Sequence, residues 1–151
     1  MASDVRTTLD ALVTLLQGIT GGDYTIDLSA AGAVRIGAPG GATTGTICWV
    51  GEPEVKSARS AELGSWSRTM TLTILVFVAA SGGDAASKIY AAVDALDDVT
   101  TRLQTSTAIG AALDSGFEGF TCDGALLKQP GMAAAVITWR GWWESTSLVG
   151  T

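Results

Sequence analysis

Residues 66–78, WSRTMTLTILVFV, decide the fold, because their side chains sort by parity into two chemically different faces. Even positions run Trp66, Arg68, Met70, Leu72, Ile74, Val76 and Val78; odd positions run Ser67, Thr69, Thr71 and Thr73, and only then Leu75 and Phe77. Alternation sustained over this length predicts one long strand with a single buried face. Its far end is apolar at both parities and should finish between covering layers. After the break at Ser81, Gly82 and Gly83, Asp84 is placed to cap a helix, with Ile89, Val93 and Leu96 expected inward and Lys88, Asp94 and Asp97 outward. Asp98 is expected to cap a further turn or two carrying Val99 and Leu103.

Working back from the long strand, the polar stretch GEPEVKSARSAELG, residues 51–64, holds Glu52, Glu54, Lys56, Arg59 and Glu62. It reads as a projecting loop or, by preference, a charged hairpin leading into Trp66. Pro53 argues only against a central strand at that point. Thr46–Val50 predicts a short apolar strand, preceded by a small Gly-rich loop, Ala38–Gly45. Tyr24–Leu28 alternates as a strand, with Val34–Gly37 as its expected partner across a turn at Gly32. Val5, Leu9, Leu12, Val13 and Leu16 form one stripe of an N-terminal helix capped by Ser3 or Asp4 and ended by Gly18, Gly21 and Gly22.

Toward the other end, Ala108–Leu113 is a weaker apolar piece. Phe117–Cys122 and Ala125–Leu127 read as strands, with turns at Asp114–Gly116 and Asp123–Gly124. A last strand, Met132–Glu144, puts Ala133, Ala135, Ile137, Trp139 and Trp143 at one parity, and the tail 145–151 has little to hold it. The order of elements predicts an α+β fold over a single domain, 1–151: a mixed, mainly antiparallel sheet with two or three helices packed on one face.

Composition limits the chemistry. The chain of 151 residues suits one domain rather than two, and it contains no histidine, the commonest general base and metal ligand. Ser/His/Asp and Cys/His sites are thereby excluded, and no catalytic residue, cofactor or metal is expected. Asp94, Asp97 and Asp98 fit a solvated helix face and cap better than a hard-cation site, which needs more oxygen ligands converging from elsewhere. Residues 37–45 lack the Gly-Lys-Ser/Thr ending of a phosphate loop. Cys48 and Cys122 belong to no CxxC pattern and read as buried, reduced thiols. A net charge of −6 argues against a nucleic-acid-binding surface. The N-terminal MASDVRTTLDALV lacks a basic segment followed by an apolar core, and no apolar run approaches the length of a membrane helix. A soluble, cytoplasmic protein is the expectation.

At 47% hydrophobic and 16% charged residues, the chain has more apolar material than one small core absorbs, so some of it should meet a partner. Among the tryptophans at 49, 66, 139, 142 and 143, Trp142 has the opposite parity to Trp139 and Trp143. With Arg140 beside it, Trp142 is the leading candidate for a subunit interface. Glu52, Glu54, Lys56, Arg59 and Glu62 on the hairpin segment, together with Arg68 and Arg140 on strands, are candidates for intersubunit ion pairs.

Taken in order, five segments carry a family resemblance: DVRTTLDALVTLL, SRTMTLTILVFV, DAASKIYAAVDALDDVTTRLQ, AIGAALDSGFEGF and MAAAVITWRGWW. The series resembles the tail terminator, or tail completion, proteins of long-tailed bacteriophages, the family of the lambda minor tail protein U. The resemblance spans most of the chain as an order of elements and residue types; the Gly-rich loop 38–45 and the acidic stretch after it have no counterpart in it. It implies a structural virion protein at the neck end of the tail, assembled in the host cytoplasm. Such a protein forms a ring, commonly a homohexamer, that caps the tail tube, ends its polymerisation and presents a surface to the head-to-tail connector. Genomic DNA passes through such a ring without specific binding, which an acidic lumen favours. Other readings are a head-to-tail neck adaptor, a tail tube subunit, or a small ligand-binding or enzymatic α+β domain.

Overall fold

The computed structural model describes residues 4–37, 46–59, 66–79, 84–105, 109–110, 114–122 and 132–145. Eight elements follow one another: α1 (Asp4–Gln17), β1 (Val34–Ile36), β2 (Ile47–Val50), β3 (Glu54–Arg59), β4 (Trp66–Ala79), α2 (Ala85–Gln104), β5 (Asp114–Cys122) and β6 (Met132–Ser145). The fold is α+β, a mixed, mainly antiparallel six-stranded sheet with two helices packed on it.

The long strand lies at the middle of the sheet. β4 pairs with β6 along its whole length, from Trp66 opposite Ser145 to Ala79 opposite Met132. Its other side is shared by β2, opposite its C-terminal half, and β3, opposite its N-terminal half. Between these two strands, Gly51, Glu52 and Pro53 stand opposite Leu72 and Thr73, so one extra residue is accommodated as a bulge. The Gly51 N–H donates to the Thr73 carbonyl at 2.8 Å, and a Cβ on Gly51 would lie 2.9 Å from the same oxygen. Proline, with no N–H for the ladder, sits at this interruption, as its chemistry requires. β5 extends the sheet beyond β6, with a register shift between Phe117 and Gly119.

Parity sets the core. Met70, Leu72, Ile74 and Val76 on β4 and Ala133, Ala135, Ile137, Trp139 and Trp143 on β6 are buried together under Leu12 and Leu16 of α1 and Ala92, Ala95, Val99 and Leu103 of α2. Phe77 and Ala134, register partners on the opposite face, are also buried, in accord with the expectation for the far end of the strand. The two helices are joined by a cation at a helix end: Arg102 Nε donates to the Leu15 carbonyl at 2.8 Å, near the C-terminus of α1. Gly110, with φ +59°, passes so close to α1 that a Cβ there would lie 2.5 Å from the Thr8 Cα.

Five expectations need correction. Tyr24–Leu28 is not a strand: the Ile26 N–H donates to Asp98 Oδ2 and the Leu28 N–H to the Ile19 carbonyl, so its backbone is satisfied without a sheet neighbour. Val34–Ile36 consequently pairs with β2, in parallel, and not with that segment. α2 is rotated from the expected phase. Lys88, Ala92, Ala95, Val99 and Leu103 are buried, Leu96 is half-buried against the core as expected, and Ile89 and Val93 are exposed; small side chains on both elements, Ala92 and Ala95 with Ala133 and Ala135 of β6, share the one buried cluster. Asp98 caps nothing: α2 runs unbroken to Gln104, and Asp98 is buried within it. Finally, Asp114–Gly116 forms the start of β5 rather than a turn.

Cys48 is buried and reduced, and burial pushes its thiol pKa up to about 12, so it stays protonated and unreactive. The Gly-rich loop 38–45, the segment Ala125–Leu127, the turn at 123–124 and residues 146–151 of the C-terminal tail lie outside the described residues, while Ser145 ends β6. No helix among the described residues is long and apolar enough to cross a membrane.

Candidate functional site

The sheet face turned away from the helices carries most of the described candidate residues. Antiparallel partners share a face, so the register builds it row by row. Glu54 lies opposite Thr71, which lies opposite Arg140; Lys56 lies opposite Thr69, which lies opposite Trp142. Glu54, Lys56, Thr69, Thr71 and Arg140 line an open groove of about 360 Å³. Trp142, at the edge of this patch, is 37% exposed, whereas Trp139 and Trp143 on the other face are buried.

Electrostatically this surface is loosely tied. Lys56 Nζ stands 3.6 Å from Glu54 Oε1, with side chains 80% and 70% exposed. An ion pair so exposed contributes about 0–1 kcal/mol, leaving both groups available to exchange partners. Glu52, at the bulge before β3, is exposed. Thr69 and Thr71 provide a flat polar floor between the charges, which suits a protein or solvent contact better than a small-molecule pocket.

Three candidates are not part of this grouping. Arg68 lies opposite Ser57 and Trp143, at the parity of the helix-covered face, and is half-buried. Arg59 pairs with Trp66 through the backbone, with its side chain outside the described set, and Glu62 lies outside the described residues. The structure therefore joins Glu54, Lys56, Arg140 and Trp142 on one face and separates Arg68 from them.

A second concavity, unforeseen from the sequence, lies at the other end of β4. It measures about 510 Å³ and is lined by Thr25, Ile26 and Asp27, by Thr46, Val78 and Ala79 near the sheet end, and by Ser87, Tyr90, Ala91 and Asp94 of α2. Tyr90 is 70% exposed, and Ile89 and Val93 flank it on the same helix. Both ionisable groups apart from Tyr90 are carboxylates. Hydrogen bonds from the Ser29 side chain and backbone hold Asp27 below its ordinary pKa, so it is charged at neutral pH. Asp98 lies beneath, accepting from the Ile26 N–H at 2.8 Å; burial raises its pKa, the Ile26 and Thr25 backbone bonds oppose the rise, and Asp94 and Asp97 add to it. The helical spacing of Tyr90, Asp94 and Asp97 was available in the sequence, but the contribution of Asp27 arises only from the fold. Arg35, also not singled out, stacks on Trp49 at 5.4 Å from the ring centroid.

Among the described residues no group of three His, Cys, Asp or Glu side chains could hold a metal ion. Among the described residues two concavities thus stand out, one with Glu54, Lys56 and Arg140 beside an exposed tryptophan, the other with carboxylates and an exposed tyrosine.

No family model and no curated protein matches the chain. Its structure is similar to that of a chain in the solved virion of a native gene transfer agent (GTA) particle, with a TM-score of 0.56 and 14% sequence identity over 90% of this chain and 93% of the other. The two chains share a fold over nearly their whole lengths.

Proposed function

We propose that the protein is a structural virion component that forms a ring at the neck end of a phage-type tail, caps the tail tube, ends its polymerisation and joins it to the head connector. The observation that carries this reading is the shared fold with a virion chain over 90% of this sequence, with nearly all of that chain covered in turn. The order of elements that resembles the tail terminator family points the same way. A ring built from copies of one chain requires two different complementary patches on each subunit, and the two surfaces described above supply candidates. The partners in this reading are further copies of the chain, the tail tube protein and the connector. A net charge of −6 suits a lumen through which DNA slides without being held.

Omitting the protein during particle assembly tests the role. The expected outcome is tails of uncontrolled length that fail to join heads. Tails of normal length joined to heads would overturn it.

A further inference from the structure

Lys56 on β3 and the carboxylate-lined cavity beside α2 lie toward opposite ends of the long strand β4. Lys56 pairs with Thr69 near the start of β4, whereas Val78 and Ala79 at its end line the cavity. Thr69 to Val78 spans nine residue steps, roughly 30 Å of extended chain. A patch with Lys56 and Arg140 beside Glu54 at one end, and a cavity whose charged groups are carboxylates at the other, fits a head-to-tail contact.

The two patches also match chemically. The cavity offers Asp27 and Asp94, an aromatic face on Tyr90, and apolar walls from Val78, Ala79 and Ala91. A long aliphatic stem with a terminal cation satisfies all three: its methylenes cover the apolar wall, and its charge meets the carboxylates and the ring. On β3, Lys56 presents such a side chain, 80% exposed and in a long surface ion pair with Glu54. Among the described residues the outer edge of β3 has no strand partner.

We propose that strand β3 of one subunit docks on the next subunit's cavity between α2 and the 25–27 segment, with Lys56 of the first reaching Asp94 and Tyr90 of the second. The occupant is a second copy of this chain. The inference rests on the ring reading and adds to it the identity of the two surfaces that meet.

Charge exchange tests the pairing. Lys56→Glu, Asp94→Lys and the double variant are compared with the unaltered protein by light scattering over a concentration series, with circular dichroism confirming folding. Both altered side chains are exposed, so the subunit fold should persist. The expected result is a closed oligomer for the unaltered protein, at least a tenfold higher concentration for half-assembly in each single variant, and recovery in the double variant. Oligomers unaffected by either change would overturn this contact while leaving the ring reading standing. Weakening in both singles without recovery in the double would overturn the pairing of these two residues. A subunit mass for the unaltered protein throughout the series would overturn the self-assembling ring and this inference with it.

Discussion

The two faces of β4 belong to one backbone and one register, yet they do different work. At even positions, Met70, Leu72, Ile74 and Val76 are buried under the helices; at odd positions, Thr69, Thr71 and Thr73 lie on the face that carries Lys56, Arg140 and Trp142. The first face holds the subunit together by apolar burial, which is tolerant of nothing that leaves a void. The second is buried only toward its far end, at Phe77, and is more open at Thr69, Thr71 and Thr73, where a partner is free to specify it. Substitutions should divide accordingly: changes at the covered face cost stability, and changes at the open face cost assembly.

The largest effect is expected at the covered face. Ile74→Ala, at a fully buried position in the central strand, should lower unfolding stability by about 3–4 kcal/mol in urea titrations. The adjacent Thr73→Ala, on the opposite face, should stay within about 0.5 kcal/mol, and comparable losses at both sites would break the distinction. Next comes Gly110→Ala. Its φ of +59° and the 2.5 Å approach of a new Cβ to Thr8 require both backbone strain and a shift of α1, with an expected loss of about 2–3 kcal/mol by the same titration.

A smaller, pH-dependent effect is expected at Asp98. Burial raises its pKa in the folded state, so the folded chain binds this proton more readily than the unfolded chain does. Its contribution to stability is then fully present below the ordinary carboxylate value and is lost as pH rises from there through the raised one. Asp98→Asn, whose amide oxygen still accepts from the Ile26 N–H, should have the higher urea midpoint above that interval and the same midpoint as the original protein below it. A difference independent of pH would show that ionisation is not the cause. The smallest effect belongs to Lys56→Ala, which should leave subunit stability within about 0.5 kcal/mol because its ion pair with Glu54 is exposed.

The parts legible in the sequence were those in which period and residue size agree. β4 and β6 alternate over many residues, and the buried parity is the one that alternation selects. α2 shows where agreement fails. Its longer apolar residues, Ile89 and Val93, outweigh Ala92 and Ala95 on any hydrophobicity scale, yet close packing on a sheet rich in alanine favours the smaller side chains. Tyr24–Leu28 failed for a different reason: its alternation is real, but a buried carboxylate 72 residues away supplies the acceptor that a strand neighbour would have supplied. For the candidate site, parity placed Trp142 opposite Trp139 and Trp143, and the register then joined it to Glu54 and Lys56. The cavity beside α2 was not legible, because Asp27 and Asp94 converge only after three separate segments pack.

The most direct test of the account is the mass of the purified protein by light scattering, with negative-stain images of the same fraction. A ring-forming subunit gives a closed particle of about six copies, the number the resemblance to tail terminators implies. Open tubes that lengthen with concentration, or a single subunit at every concentration, would contradict it.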